Sequence, residues 1–120
     1  MTVPELGPED AKIVTLARGA RLRAYAPHSG VTEGAAVRDT DGRTYAAATV
    51  EHADPTLTTS ALRGAVVAAA SSGARTFEAA ALVTEGLVSG ADLAMLREFG
   101  VGTPLLVANP DGTLRGTRSS

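Results

Sequence analysis

The spacing of apolar residues predicts three helices. From about residue 9 to residue 24, apolar side chains recur at helical spacing, and Glu9 and Asp10 stand in the first turn, where the helix dipole favours acidic groups. Residues 61–70 form a nearly continuous run of small apolar residues, which predicts a buried helix. A third helix is predicted over 89–100, because this segment opens with a serine suited to capping and closes at a glycine.

Extended runs lie between these helices. Residues 32–52 contain two short runs around the sequence DTDGR, in which Asp41 and Gly42 favour a two-residue hairpin turn. Further strands are predicted at 76–84, at 103–109 and, as a short final strand, at 113–115. The resulting order of elements predicts an α/β protein with a mixed sheet covered by helices.

Length and composition predict one globular domain over residues 1–120, with loose termini at 1–8 and 116–120. The formal net charge of −2 argues against nucleic acid and membrane surfaces as partners. No segment is apolar enough for a membrane span and the amino terminus lacks the pattern of a leader, so a cytoplasmic location is expected. The absence of cysteine excludes disulfides, thiolate nucleophiles and thiolate-ligated metals.

Four segments together resemble a known family. AYAPHSGVTEGAAV (24–37), DGRTYAAATVEHA (41–53), TSALRGAVVAAASSG (59–73) and SGADLAMLREFG (89–100) are similar, in this order and spacing, to successive blocks of the small homotetrameric cytidine deaminases. The match spans about residues 10 to 109. The resemblance implies a three-layer α/β/α sandwich with a mixed sheet of about five strands. It also implies self-association as a dimer or tetramer.

The resemblance implies a zinc site that this chain has lost. In such deaminases zinc activates a water for attack on the base, and a glutamate that is not a ligand transfers protons. The positions of the three metal ligands are occupied here by Ser60, Ser89 and Asp92, and the position of the glutamate by Leu62. A serine hydroxyl is a poor zinc ligand and leucine transfers no proton, so we expect no metal, no cofactor and no catalytic residue.

The positions that hold substrate in the family are partly retained. Glu51 matches the glutamate that binds the ribose hydroxyls, whereas Thr49 replaces an asparagine and Val31 replaces the phenylalanine that packs on the ring. Arg63 offsets thiolate charge in the family, and we predict that here it pairs with Asp92 across the two helix starts. These four residues, Glu51, Thr49, Val31 and Arg63, are the candidates for ligand binding.

The remaining polar residues have simpler interpretations. Ser60 and Ser89 stand at helix starts, where serine is usually an N-cap and not a nucleophile. His28 and His52 are expected in surface loops. The basic cluster of Arg18, Arg21 and Arg23 is expected to be a solvated helix face and not a phosphate site.

Three classes of function stay open. The leading hypothesis is a catalytically inactive, metal-free relative of cytidine deaminase that acts as a binding or interaction module, with another protein as a possible partner. The second is a regulator that binds a nucleoside-like small molecule. The third is an enzyme with a remodelled, zinc-independent pocket, which is favoured by the polar set Ser60, Ser89, Asp92, Arg63 and Glu51.

Overall fold

The computed structural model describes residues 6–120. Its helices and strands follow the predicted order, with one additional turn of 3₁₀-helix before the second α-helix. The elements are α1 (Pro8–Arg21), β1 (Gly34–Asp39), β2 (Thr44–Ala48), the 3₁₀ turn (Pro55–Leu57), α2 (Ala61–Ser71), β3 (Phe77–Val83), α3 (Gly90–Arg97), β4 (Pro104–Ala108) and β5 (Leu114–Ser119).

The five strands form one sheet in the order β2-β1-β3-β4-β5. Only β3 and β4 run parallel, joined by the crossover through α3, and the other neighbouring strands are antiparallel. The sheet is therefore mixed, as predicted.

Helices cover both faces of the sheet. On one face α1 packs through Ile13 and Ala17 on residues such as Ala36, and on the other α2 and α3 pack on neighbours such as Ala35 and Val37. Because successive strand residues point to opposite faces, β1 contributes to both cores and is buried along its whole length. The three-layer α/β/α sandwich is confirmed.

The hairpin between β1 and β2 has a longer loop than predicted. The amide of Asp39 donates to the carbonyl of Arg43 (2.9 Å), so three residues, not two, separate this pair. Gly42 has a φ of 85°, and the Asp39 carboxylate accepts from the amides of Asp41 (3.0 Å) and Arg43 (2.9 Å). A three-residue loop with glycine in the left-handed region is a common hairpin closure.

The prediction of a loose carboxyl terminus at 116–120 is wrong. Strand β5 extends to Ser119 and pairs with β4, and Ser120 is buried, with its hydroxyl 2.7 Å from the carbonyl of Gly100. Backbone hydrogen bonds along the edge of β4 hold this segment, and its polar composition does not reveal them. At the other end, residues 1–5 lie outside the described part, but Leu6 packs on the α1 side and Pro8 already begins α1.

Close packing places α1 on the start of β1. An added Cβ on Gly34 would lie 2.0 Å from the carbonyl oxygen of Ala17 and 2.5 Å from the amide nitrogen of Arg21. Only glycine allows the backbone of α1 to come this close to β1. The contact therefore fixes the position of the segment at residues 28–33, which leads into β1.

The three arginines of the predicted basic cluster have local partners. Arg18 donates to the carbonyl of Pro110 (3.1 Å), Arg21 to that of Thr32 (3.1 Å) and Arg23 to that of Gly19 (3.5 Å). Two of the three thus tie α1 to the segments beside it. Over the described residues, no helix has the length and apolar character that crossing a membrane requires.

Candidate functional site: a polar cleft at the starts of two helices

A cleft of about 350 Å³ opens where the amino-terminal ends of α2 and α3 meet the segments before β1 and after β2. It brings together all five residues of the predicted polar set, together with Thr49 and Val31. The side chains that line it are Ser29, Val31, Glu33, Thr49, Glu51, Pro55, Thr58, Ser60, Arg63, Ser89, Ala91 and Asp92.

Ser60 and Asp92 connect the two helix starts. Ser60 caps α2, because its hydroxyl oxygen accepts from the amide of Arg63 at 3.2 Å. The same hydroxyl donates to Oδ1 of Asp92 at 2.9 Å. Asp92 is 6% exposed, so this hydrogen bond stabilises a carboxylate that has little other access to solvent.

Ser89 caps α3 in the same manner. Its hydroxyl oxygen accepts from the amides of Ala91 (3.2 Å) and Asp92 (3.4 Å). The expectation that both serines act as helix caps agrees with this geometry.

The predicted ion pair between Arg63 and Asp92 is wrong. Among residues 6–120, no carboxylate oxygen lies within 4.0 Å of the Arg63 guanidinium, and Arg63 is exposed at the rim of the cleft. Ser60 takes the place of Arg63 as the partner of Asp92, because its short side chain stands directly at the start of α2. The guanidinium stays in water, where it needs no partner anion.

Leu62 does not face the cleft. Its side chain is fully buried in the core between α2 and the sheet, in the cluster that includes Val37, Ala65 and Leu82. The position that the resemblance assigned to the acid/base is therefore part of the hydrophobic core.

Glu51 holds the loop at residues 28–31. Its Oε1 accepts from the amides of His28 (2.6 Å) and Ser29 (2.8 Å), and its Oε2 accepts from the hydroxyl of Ser29 (2.5 Å). These hydrogen bonds, with that from the Ser29 hydroxyl the strongest influence, lower the pKa of Glu51 below its ordinary value. Glu51 is thus an ionised carboxylate at the rim of the cleft, and both of its oxygens already accept hydrogen bonds from His28 or Ser29.

The two histidines lie beside this rim. His28 and His52 are both exposed and border a second, adjoining cleft that shares Ser29 and Glu51 with the first. Val31 is 56% exposed, whereas Thr49 is 7% exposed.

Glu33 is a cleft residue that the sequence analysis missed. Its amide donates to Oγ1 of Thr49 (3.1 Å), its carbonyl accepts from the amide of Thr49 (3.1 Å), and its Oε2 accepts from the hydroxyl of Thr84 at 2.6 Å. A signal was present: in the family's first block, the residue before the glycine at Gly34 is valine. A carboxylate at an apolar position two residues after Val31 indicates an altered pocket.

Comparison with known proteins identifies the family. A family model described as Cytidine deaminase-like matches residues 6–112. The chain belongs to the cytidine deaminase-like family. The chain is also similar to a cytidine deaminase of Sporosarcina psychrophila, with 36% identity over 111 residues, which cover 88% of this chain and 82% of the relative.

Solved structures of cytidine deaminases have the same fold. That from Burkholderia pseudomallei superposes with a TM-score of 0.83 at 31% identity, covering 90% of each chain. That from Mycobacterium tuberculosis gives a TM-score of 0.73 at 30% identity, covering 87% of this chain and 86% of the other. The family recognised from the four sequence blocks is confirmed.

The donor atoms of this cytidine deaminase-like chain do not fit the zinc ion of zinc deaminases. The Ser60 hydroxyl is committed to Asp92 and to the cap of α2, and the Ser89 hydroxyl caps α3, so Asp92 supplies the one carboxylate at the three ligand positions. Zinc sites use three thiolate, imidazole or carboxylate ligands. Within the described range 6–120, no three His, Asp or Glu side chains come together in a group that could hold a metal ion.

Proposed function

We propose that this protein is a member of the cytidine deaminase-like family that has lost deaminase chemistry and binds a small, nucleoside-like molecule in its polar cleft. The observation that carries the proposal is the hydrogen bond between Ser60 and Asp92, which joins the helix starts while leaving the cleft open. A cleft of about 350 Å³ lies within the usual size range of small-molecule pockets.

The burial of Leu62 supports the proposed loss of deaminase activity. Proton transfer needs an ionisable group within hydrogen-bond reach of the substrate, and Leu62 offers neither a proton nor access to the cleft. Restoring activity would require new metal ligands in place of Ser60 and Ser89 and a carboxylate in place of the core side chain of Leu62.

The polar lining supports binding over a purely structural role. An unused cleft could be filled by larger apolar side chains at little cost, yet this one keeps Glu33, Asp92 and Arg63 around its opening. Asp92 is nearly buried and Glu33 is half-buried, so a ligand in the cleft would meet polar groups that are partly shielded from water. We therefore place small-molecule binding ahead of the zinc-independent enzyme and of the pure interaction protein.

Thermal unfolding with a panel of nucleosides, nucleotides and free bases tests this function. A ligand at about 100 times its dissociation constant stabilises the folded state by about 2.7 kcal/mol. We expect a selective shift that is weakened in Glu51→Ala, which frees the loop at residues 28–31, and unchanged in Asp111→Ala in the distant turn before β5. If no compound raises the unfolding temperature, small-molecule binding is contradicted and protein partners should be sought.

A deamination assay with added zinc tests the loss of chemistry separately. Cytidine, incubated with the purified protein in the presence and absence of zinc, should give no uridine by absorbance or chromatography. Formation of uridine that depends on zinc would overturn the proposal while leaving binding in place.

Self-association belongs to the same proposal. Val67 is an exposed apolar side chain of α2, at 55% exposure, which supports the packing of a second copy on this helix. Sedimentation velocity of the wild type and of Val67→Glu tests it: we expect a dimer or tetramer that the variant weakens. A wild-type monomer at high protein concentration would contradict self-association.

A further inference from the structure

Glu33 is held in one position at the cleft by two residues, Thr49 directly after β2 and Thr84 directly after β3. Its backbone pairs with Thr49 through the two hydrogen bonds described above, and the buried hydroxyl of Thr84 donates to its Oε2 at 2.6 Å. Thr84 Oγ1 in turn accepts from the amide of Gly86 at 2.9 Å, which orients the hydroxyl proton towards Glu33. The second oxygen, Oε1, accepts no hydrogen bond from the described residues.

Asp92 is positioned in a similar manner. The side chain is nine-tenths buried, and its Oδ1 accepts from Ser60. Over residues 6–120, no donor reaches its Oδ2, and no buried side-chain oxygen is left without a partner, so this atom keeps its remaining access through the cleft that Asp92 lines. The cleft thus contains a fixed, nearly buried carboxylate oxygen that is free to accept.

The hydroxyl groups of the cleft add few donors to these acceptors. The proton of Ser60 is donated to Asp92, and the proton of Ser29 is donated to Glu51. The hydroxyls of Thr58 and Ser89 accept from backbone amides and keep their protons for a ligand. Ionised carboxylates accept only. A ligand that bonds to the free oxygens of Glu33 and Asp92 must therefore bring hydrogen-bond donors of its own.

The charges around the cleft also favour a ligand that donates hydrogen bonds. The charged residues that line the cleft are Glu33, Glu51, Asp92 and Arg63. With three carboxylates and one guanidinium, the lining carries an excess of two negative charges. Charge interactions are strengthened where the groups are shielded from water. Within the described range, these carboxylates do not form a group that could hold a metal ion.

We infer that the ligand of the cleft carries a positively charged amine, and that Glu33 is the residue that selects it. This inference rests on the proposed small-molecule function and adds the charge class of the ligand. The fixed Oε1 of Glu33 accepts a hydrogen bond from the ammonium group, and the free Oδ2 of Asp92 contributes to the same negative potential. A phosphorylated ligand is disfavoured by both carboxylates.

A series of probes that differ mainly in charge tests the inference. Calorimetric titration would compare cytidine, 3′-amino-3′-deoxycytidine, 5′-amino-5′-deoxycytidine and cytidine 5′-monophosphate, at a pH where the amines are protonated. We expect at least one amine to bind about tenfold more tightly than cytidine, and the monophosphate to bind more weakly, because charge-assisted hydrogen bonds are about twice as strong as neutral ones.

Two variants show whether Glu33 is responsible. Glu33→Gln keeps an acceptor for Thr84 and removes the charge, so it should abolish the tighter binding of the amine relative to cytidine. Glu85→Gln removes the same charge from an exposed residue that does not line the cleft and should preserve the preference.

The outcomes separate this inference from the proposed function. Equal affinity for cytidine and both amines, or a preference that persists in Glu33→Gln, would overturn the inference and leave small-molecule binding standing. Binding of none of the four probes would overturn both.

Discussion

The hydroxyl of Ser60 donates to the carboxylate of Asp92 at 2.9 Å, so a single hydrogen bond joins the first turns of α2 and α3. In zinc deaminases a metal ion makes the corresponding connection, with ligands from both helix starts. The replacement keeps the two helices together with groups that need no metal. The stability of this region therefore depends on two side chains of the chain itself.

Ser60→Ala should lower the free energy of unfolding by about 2 to 3 kcal/mol, because it removes an N-cap and leaves Asp92 with an unsatisfied, nearly buried oxygen. Urea unfolding measures the change. Ser89→Ala is the matched control, since it removes only a cap and should cost about 1 kcal/mol. Equal losses in the two variants would show that the bond to Asp92 contributes nothing.

Gly34→Ala should destabilise the protein severely or prevent folding, because the new Cβ would lie 2.0 Å from the carbonyl oxygen of Ala17. Both atoms belong to rigid backbone, so neither can move aside. Gly19 lies in α1, and a Cβ added to it meets no atom within 4 Å. Gly19→Ala should therefore stabilise the protein by about 0.4 to 1 kcal/mol. A tolerated Gly34→Ala, measured by circular dichroism and thermal unfolding, would contradict the close packing of α1 on β1.

Leu62→Ala should lower the free energy of unfolding by about 2 to 5 kcal/mol, the range found for large-to-small substitutions in a packed core. Leu62→Met conserves volume and should cost less than about 1.5 kcal/mol. Chemical denaturation of both variants decides whether this side chain belongs to the core. A negligible loss in Leu62→Ala would mean that the side chain turns towards the cleft.

Glu51 should stabilise the fold in a pH-dependent manner. Its pKa is lowered in the folded state by hydrogen bonds from the Ser29 hydroxyl and the amides of Ser29 and His28. A lowered pKa means that the stabilisation is complete above the ordinary pKa of about 4.3 and is lost as the pH falls through the folded-state value. The unfolding temperatures of the wild type and Glu51→Gln should therefore differ at neutral pH and converge in acid.

A control separates this effect from general acid denaturation. Glu98→Gln removes a charge at the exposed end of α3, where the carboxylate accepts no hydrogen bond from the described residues, and should show no such convergence. A constant difference between the wild type and Glu51→Gln from neutral to acidic pH would contradict the role of Glu51 as an ionised acceptor for the loop.

Sequence patterns were sufficient for most of the fold and insufficient at particular points. Helical spacing placed α1, a continuous apolar run placed α2, and a capping serine with a terminal glycine placed α3, while the four family blocks identified the architecture. β5 was mostly missed because an edge strand with an exposed, polar sequence has no alternation of apolar residues to reveal it. The predicted hairpin loop was one residue too short, because the sequence shows the glycine of the turn but not which backbone pair closes it.

At the site, the sequence by itself determined which chemical groups are present. It has no cysteine, and the resemblance assigns Ser60, Ser89 and Asp92 to the ligand positions and Leu62 to the position of the proton-transferring group. Since side-chain chemistry is a property of the residue type, the expectation that the zinc ligands and the acid/base are missing needs no structure.

Only the tertiary structure decided which groups meet. Charge suggested that Arg63 would pair with Asp92, but the packing of the two helix starts brings Ser60 to Asp92 and leaves Arg63 in water. Glu33 lies 51 residues from Thr84 in the chain, and only the pairing of β1 with β3 brings them together. Distances between residues far apart in sequence are set by the packing of whole elements, and no local pattern records them.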